Sequence, residues 1–511
     1  MLGRFSDVWN GWKADVPGPK LRRLRRRVLA TGNTGVGMKP IFVLLLLFIL
    51  GGGRARAEPI AITNVAVVDV ASGRTRPAHT ITIVDGKIRR SGDSSLVAVP
   101  AKARRIDGRG RFLIPGLWDM GSFVLDGRAN GVPGAFELMV AHGVVGTRDL
   151  GTALPAPEVA RLERDIARGA IVGPRLIWTT KSLSRSLNSV VSGASSARAE
   201  IPDDAAAVAA VRDAARGGAH YVRVVQNLPE QRLPAVIGEA RRWRLPVTGA
   251  IVSSWADAAR LGLAGFDHFV DLYRSTARAP ERDQFLRLYR DEAFRRATAN
   301  SRGAMYAFFA PLRSLRDEDY YRRTLAAMAH AGTPVTTNMA PMMWAQQANA
   351  SLIEARRVYA FPEPPQPPPP PTTVDGRSRD GLWSDIRDLR AAGVPLLAGT
   401  AAGSSPRELP GATLLDELEW LVRAGLSPRE ALAAATVTPA RIARRLFPRA
   451  AVAGALVAGE PADFVMLDEN PLMDIANVRR IHGVMANGRW YGPVEREALL
   501  ARAAELAARQ R

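Results

Sequence analysis

The chain has 511 residues, 47% hydrophobic and 23% charged, enough for a large buried core and too apolar for a disordered chain. Its net charge is +21, yet residues 1–57 alone hold 11 Lys+Arg against 2 Asp+Glu, and beyond them the basic residues are nearly all arginines scattered singly among Ala, Leu and acids. Such scatter makes solvated helix faces, so no nucleic-acid partner is expected; the absence of cysteine excludes disulfides, zinc–thiolate sites and a cysteine nucleophile.

Residues 1–57 read as a targeting region. Met38-Lys-Pro leads into ten consecutive apolar residues, Ile41–Leu50, and then Gly51-Gly-Gly-Arg-Ala-Arg-Ala57. A basic start, a short apolar core and a closing Ala-x-Ala are the parts of a signal peptide, here 38–57. Ten residues of helix span about 15 Å, half a bilayer, so no permanent membrane span is expected. The mature chain is expected to be exported, periplasmic or secreted. Arg22-Arg-Leu-Arg-Arg-Arg27 precedes the good internal start at Met38 and carries no assigned role.

From Glu58 to Phe112 the chain reads as short strands. Ile60–Val70 and His79–Val84 alternate β-branched residues, and Asp85-Gly86 is a hairpin turn pair. From Leu113 the pattern becomes strand, loop, helix, repeated. Leu113-Ile-Pro-Gly-Leu-Trp-Asp-Met-Gly-Ser-Phe123 opens it, and further buried strands are expected at Val144–Arg148, Leu176–Thr180, Tyr221–Val225, Pro246–Ile251, Phe266–Val270, Pro334–Asn338 and Pro395–Thr400. Asp203 caps a helix that presents Val208, Val211 and Ala215 on one face and ends at Gly217-Gly218. The spacing, about 36 residues per unit, predicts a (β/α)8 barrel over 113–447. Phe361–Pro371, with eight prolines, interrupts the rhythm between strands seven and eight as a polyproline II excursion. After the barrel, Leu414, Leu418 and Leu421 share one helix face, and Ala431, Leu432 and Ala435 another. Thr438-Pro439 reads as the start of a helix over 440–446. Short strands return over 448–493, and a polar-faced helix occupies 494–511.

Several of these stretches together resemble one family. Ile106-Asp-Gly-Arg-Gly-Arg before Leu113–Phe123, His142-Gly-Val-Val-Gly-Thr-Arg-Asp-Leu-Gly151, Gly173-Pro-Arg175, Pro410-Gly-Ala-Thr-Leu414, Gly454–Leu472 and Ile481–Tyr491 occur in the order seen in the amidohydrolase superfamily, closest to its imidazolonepropionase-like and prolidase-like members. The resemblance spans residues 60–493. It implies an α/β fold, a TIM-like barrel with a small β-domain composed from 58–112 and 448–493. It also implies hydrolysis of amide and other C–N bonds by one or two divalent metals, commonly zinc, at the C-terminal mouth of the barrel.

The same resemblance locates the residues such chemistry needs, and most have been replaced. The two strand-one histidines fall at Gly121 and Phe123, the carboxylated strand-four lysine at Arg223, the strand-five histidine at Ala250 and the strand-eight aspartate at Ala401. Only the strand-six histidine survives, as His268. Arginine stays charged and cannot form the lysine carbamate. No lysine follows Lys181, and the six histidines, at 79, 142, 220, 268, 330 and 482, form no His-x-His. One histidine is short of what zinc needs. No catalytic residue, metal ligand set or cofactor is therefore expected.

Three functions stay open at this point: a pseudoenzyme that binds a small molecule or partner, an active hydrolase with a rearranged site, and an interaction protein with no ligand pocket. The candidate ligand-binding residues are Arg223, His268, Asp119 and Asp149. Arg223 places a fixed positive charge at the barrel mouth, so either Asp119, Asp149 or Asp267 neutralises it or a small carboxylate ligand does. His142, His220 and His330 lie near helix ends, where structural roles are expected. Ser182, Ser184, Ser186 and Ser189 read as a solvated loop without a nucleophile elbow.

Overall fold

The computed structural model describes residues 58–126, 131–184, 198–225, 228–251, 254–290, 310–340, 358–359, 376–404, 408–450 and 452–509. The expected signal peptide over 38–57, the proline tract and Ser186 and Ser189 lie outside them. Two β-structures dominate, one composed from both chain ends and one a barrel.

The composite sheet begins with β1 (Ile60–Asp69), β2 (Arg74–Val84), β3 (Lys87–Asp93), β4 (Arg104–Asp107) and β5 (Phe112–Pro115). β1 buries Ala61, Ile62, Val65, Val67 and Val68, and at Asn64, with φ 58°, its register against β2 shifts as a bulge. The β2–β3 turn is the expected one, with Asp85 and Gly86 both at positive φ. The run from Leu113 is shared between the two structures: β5 pairs in parallel with β1, whereas β6 (Leu117–Ser122) opens the barrel.

The barrel continues through β7 (Val144–Asp149), β8 (Arg175–Ile177), β9 (Ser182–Ser184), β10 (Arg198–Glu200), β11 (Val222–Val224), β12 (Val247–Gly249), β13 (Gly265–Phe266), β14 (Val335–Thr336) and β15 (Leu396–Leu397). Parallel pairing runs β6–β7–β8 and then β10–β9–β11–β12–β13–β14–β15. Backbone bonds close both seams: Met120 N–H to the Ala398 carbonyl at 2.8 Å, Ala401 N–H to Gly121 at 2.6 Å, and His220 N–H to Trp178 at 2.9 Å. β6, β7, β8, β11, β12, β13, β14 and β15 are thus the eight barrel strands, shorter than their apolar runs. β9 and β10 are an addition beside β11. Ser182 and Ser184 are buried in β9 rather than solvated, because Leu183 pairs with Val224 and draws its neighbours into the sheet. At Gly146 a side chain is impossible, since a Cβ would meet the Trp118 ring at 2.2 Å.

The chain then returns to the composite sheet with β16 (Phe464–Leu467), β17 (Ile481–Ala486) and β18 (Arg489–Tyr491). β16 runs antiparallel to β5, so the strand order is β18-β17-β16-β5-β1-β2-β3, with β4 beside β1. Ile62, Ile81, Leu113, Phe464, Met485 and Trp490 form its core.

Helices depart from expectation in small ways. Asp203 accepts the Ala206 N–H as N-cap of Asp204–Arg216, and Val211 is buried as expected, but beside Ala207 and Ala214 rather than Val208 and Ala215. The helix expected to start at Thr438-Pro439 runs from Val437 to Leu446 with Thr436 at its N-cap position, so Pro439 lies within its first turn, where no N–H is needed. Pro493–Ala508 closes the described chain and buries Leu499, Ala503 and Ala507. Among the described residues no helix is long and apolar enough to cross a membrane.

Candidate functional site at the barrel mouth

Three charged side chains meet inside the barrel. Arg148 comes from β7 and Arg223 from β11, both buried. Asp267 follows β13 directly. The Asp267 carboxylate is fully buried and bridges the two guanidiniums: Oδ1 accepts from Arg148 Nη2 and Oδ2 from Arg223 Nε, each at 2.7 Å. Arg148 also donates to the Met120 carbonyl, Thr248 and Thr336, so all three of its nitrogens are engaged. Arg223 donates through Nη1 to the Leu150 carbonyl at 3.1 Å and to Ser182 Oγ at 3.2 Å. Its Nη2 has no hydrogen-bond partner among the described residues. Burial would raise the Asp267 pKa, but Arg148, Arg223 and His268 outweigh it and hold the carboxyl at about 2.

Three further buried carboxyls line the barrel. Asp119 on β6 accepts from the Gly121 and Thr400 N–H groups and from Thr400 Oγ1, tying the first strand to the last. Burial nevertheless pushes it up to about 6, against these bonds and the attraction of Arg148. Glu417, on the helix Ala412–Arg423, accepts from Thr337 Oγ1 and from the Met339 and Ala340 N–H groups beyond β14. Burial raises its pKa to about 7, and repulsion from Asp119 adds to the rise. Asp149 accepts from Leu125 and Gly151 N–H. Asp119 and Asp149, both candidate ligand-binding residues, are buried; Asp119 is held by two backbone N–H groups and the Thr400 hydroxyl, and Asp149 accepts from two backbone N–H groups.

Three strand ends carry non-glycine residues in the left-handed region: His268 at φ 59°, Asn338 at 51° and Ala401 at 56°. Each conformation costs about 1 kcal/mol or more and is held by its surroundings. Asn338 is 3% exposed and neither amide atom has a hydrogen-bond partner among the described residues. A Cβ on Gly121 would lie 3.4 Å from both atoms, so this amide occupies the space in front of the strand-one position.

The remaining positions form an apolar plug. Phe123, Leu150 and Ala401 pack together as a cluster, and the Arg223 guanidinium carbon lies 5.7 Å from the centre of the Phe123 ring. Ala250 is buried beside β11, its N–H bonded to the Val224 carbonyl. Gly121, Phe123, Ala250 and Ala401 thus offer no side-chain donor, and Arg223 repels a cation. Half-buried His268 stands without a co-ligand set. The residues at the mouth do not fit a divalent metal, and among the described residues no group of three or more His, Asp or Glu side chains is disposed to hold one.

Four other histidines are engaged elsewhere. His142 bonds the Leu138 carbonyl at 2.8 Å, and burial lowers its pKa to about 4. His220 accepts the Trp178 N–H and lies 3.5 Å from Glu163. His79 bonds Ser91, and His482 pairs with Asp468.

A barrel of eight parallel strands with a sheet from both chain ends, the site at its mouth, is an architecture with known relatives. The sequence profile of the amidohydrolase family matches residues 125–491, most of the chain. This chain belongs to the amidohydrolase family. Among solved structures, the amidohydrolase fold is shared with a putative prolidase from Bifidobacterium longum at 21% identity, covering 88% of this chain and 99% of that one with a TM-score of 0.59. A bottromycin amidohydrolase is similar at 20% identity, covering 95% and 96%, TM-score 0.60. An Aspergillus niger ochratoxinase is similar at 17%, covering 85% and 96%, TM-score 0.58. At these identities the likeness speaks for the fold alone. No curated protein sequence matches.

Within this amidohydrolase barrel, sequence reasoning placed Arg223 and His268 at the mouth and named Asp267 among the acids able to neutralise Arg223. It missed Asn338, Glu417 and the bridging role of Arg148. Glu417 left a signal: it stands beside Leu418 on the stripe that Leu414 and Leu421 bury, where a carboxylate needs donors. Asn338 left none, since only the fold shows that its amide is sealed.

Proposed function

We propose that this chain is an exported amidohydrolase-fold pseudoenzyme that binds a small carboxylate at the barrel mouth and does not hydrolyse it. One observation carries the loss of metal chemistry: Arg223, on the strand that would hold a bridging lysine, is bonded to Asp267, while Phe123 and Ala401 pack on each other where donors would be needed. A metal-held hydroxide has no ligands there, and no other nucleophile–base pair is assembled at the mouth among the described residues.

The carboxylate reading rests on charge and geometry. Two guanidiniums share Asp267, leaving one excess positive charge within the triad, and Arg223 Nη2 keeps its hydrogens for a further acceptor. Half-buried His268 stands on the same rim, and the Phe123 ring supplies an apolar wall. A guanidinium edge with an aromatic neighbour suits a carboxylate on an apolar body. The test is calorimetry with N-acyl amino acids and X-Pro dipeptides. Binding without product formation, weakened at least tenfold by Arg223→Met, is expected. Equal binding by that variant, or none by the wild type, removes the ligand reading.

Export rests on the sequence, where Ala55-Arg-Ala57 follows the apolar core. N-terminal sequencing of protein from its native host should begin at Glu58. A chain that retains Met38 contradicts cleavage there.

A further inference from the structure

The triad does more than occupy space, and its bonding pattern bears on how the barrel keeps its shape. Asp267 gives one oxygen to each guanidinium, both at 2.7 Å, from strands that are not neighbours of each other. Arg148 is 3% exposed, Arg223 4% and Asp267 0%. The three side chains therefore join β7, β11 and the end of β13 across the barrel interior, and Arg148 reaches β6, β12 and β14 through Met120, Thr248 and Thr336. Arg148 and Arg223 hold the Asp267 carboxyl ionised at this depth, and Asp119 stands close enough for Arg148 to attract it.

We infer that Arg148 and Arg223 are covalently supplied cations that fill the electrostatic role of a metal centre, with Asp267 as the bridging carboxylate, so that the mouth holds its shape with no ion. The inference rests on the proposed loss of the metal site and adds to it a reason why the interior carboxylates persist. It also predicts a latent cation site. Deleting the Arg223 side chain leaves Asp267 Oδ2 facing a volume the size of a guanidinium group, and a small cation should return to it. Arg148 alone then faces the carboxylate, so an added cation restores the two-to-one arrangement.

The experiment is thermal unfolding of the mature chain at constant ionic strength with methylguanidinium, zinc or sodium. Wild type should be unchanged by chelator or by any of the three. Arg223→Ala should lose about 5 °C. Methylguanidinium at millimolar concentration should recover at least half of that loss, zinc should recover part, and sodium none. Arg223→Ala/Asp267→Asn should respond to no cation. If Arg223→Ala does not accumulate folded, Arg223→Ser takes its place: its small neutral side chain leaves the same volume, so it should unfold earlier than wild type and also respond to methylguanidinium. No thermal loss, no cation response, or an equal response in the double variant overturns the inference. Metal-dependent turnover by the wild type would instead overturn the pseudoenzyme reading, so the two failures are told apart.

Discussion

Replacing Asp267 with Asn is the sharpest single perturbation of the barrel interior. The carboxylate is fully buried and accepts two charge-assisted bonds of 2.7 Å. Removing one partner of a buried ion pair costs about 3–5 kcal/mol, chiefly because the other charge is left in a medium that cannot solvate it. Here two guanidiniums lose their shared anion, but the loss is not doubled. The amide oxygen still accepts one bond, Arg148 keeps Met120, Thr248 and Thr336, and Arg223 keeps Leu150 and Ser182. Asp267→Asn should therefore lower unfolding free energy by about 3–5 kcal/mol in total. Urea is the denaturant to use, since guanidinium resembles the groups under test. The pH dependence gives a second reading. The folded pKa, about 2, lies below the ordinary 3.8, so this stabilisation is complete above 3.8 and is lost as pH falls through about 2. Wild type should thus lose more stability than Asp267→Asn between pH 4 and 2. A variant within about 1 kcal/mol of wild type at pH 7 would refute the reasoning, because an isostere that cheap means the guanidiniums are solvated or paired elsewhere.

Asp119 and Glu417 act in the opposite direction. Their folded pKa values, about 6 and about 7, lie above those of the unfolded chain, so the fold holds their protons longer and their stabilising contribution declines as pH rises from about 4 through 7. Urea unfolding between pH 5 and 8 should show stability falling with pH, and Glu417→Gln should flatten the part near 7; an unchanged slope contradicts the assignment. Phe123→Ala, which empties the plug against Leu150 and Ala401, should cost about 3 kcal/mol and leave the barrel folded by circular dichroism. A loss under about 1 kcal/mol would mean that the ring faces water.

Much of the architecture was legible because it is written in local chemistry. Asp85-Gly86 specifies its hairpin through two positive φ angles, and Asp203 caps its helix through one side-chain bond; neither needs the rest of the fold. The eight strand positions were legible from apolar runs bounded by turns. Their lengths were not, since His268, Asn338 and Ala401 leave the ladder in left-handed conformations that only barrel closure dictates. Ser182 and Ser184 misled because hydroxyls read as solvated, whereas Ser182 donates to the Leu150 carbonyl and accepts from Arg223 inside the sheet. At the mouth, Arg223 was placed from its strand and the need for a counter-charge was foreseen. The choice of Asp267 over Asp119 and Asp149 depends on three-dimensional reach. Asp119 takes the Gly121 and Thr400 N–H groups, and Asp149 those of Leu125 and Gly151.

The central claim is that the barrel mouth has exchanged a metal centre for an internal ion triad. Metal content of the purified chain after dialysis against zinc tests it most directly. The account predicts well under one equivalent of zinc per chain, with no chelator-sensitive hydrolysis of N-acyl amino acids or X-Pro dipeptides. Stoichiometric zinc, lost together with hydrolysis on His268→Ala, would contradict it.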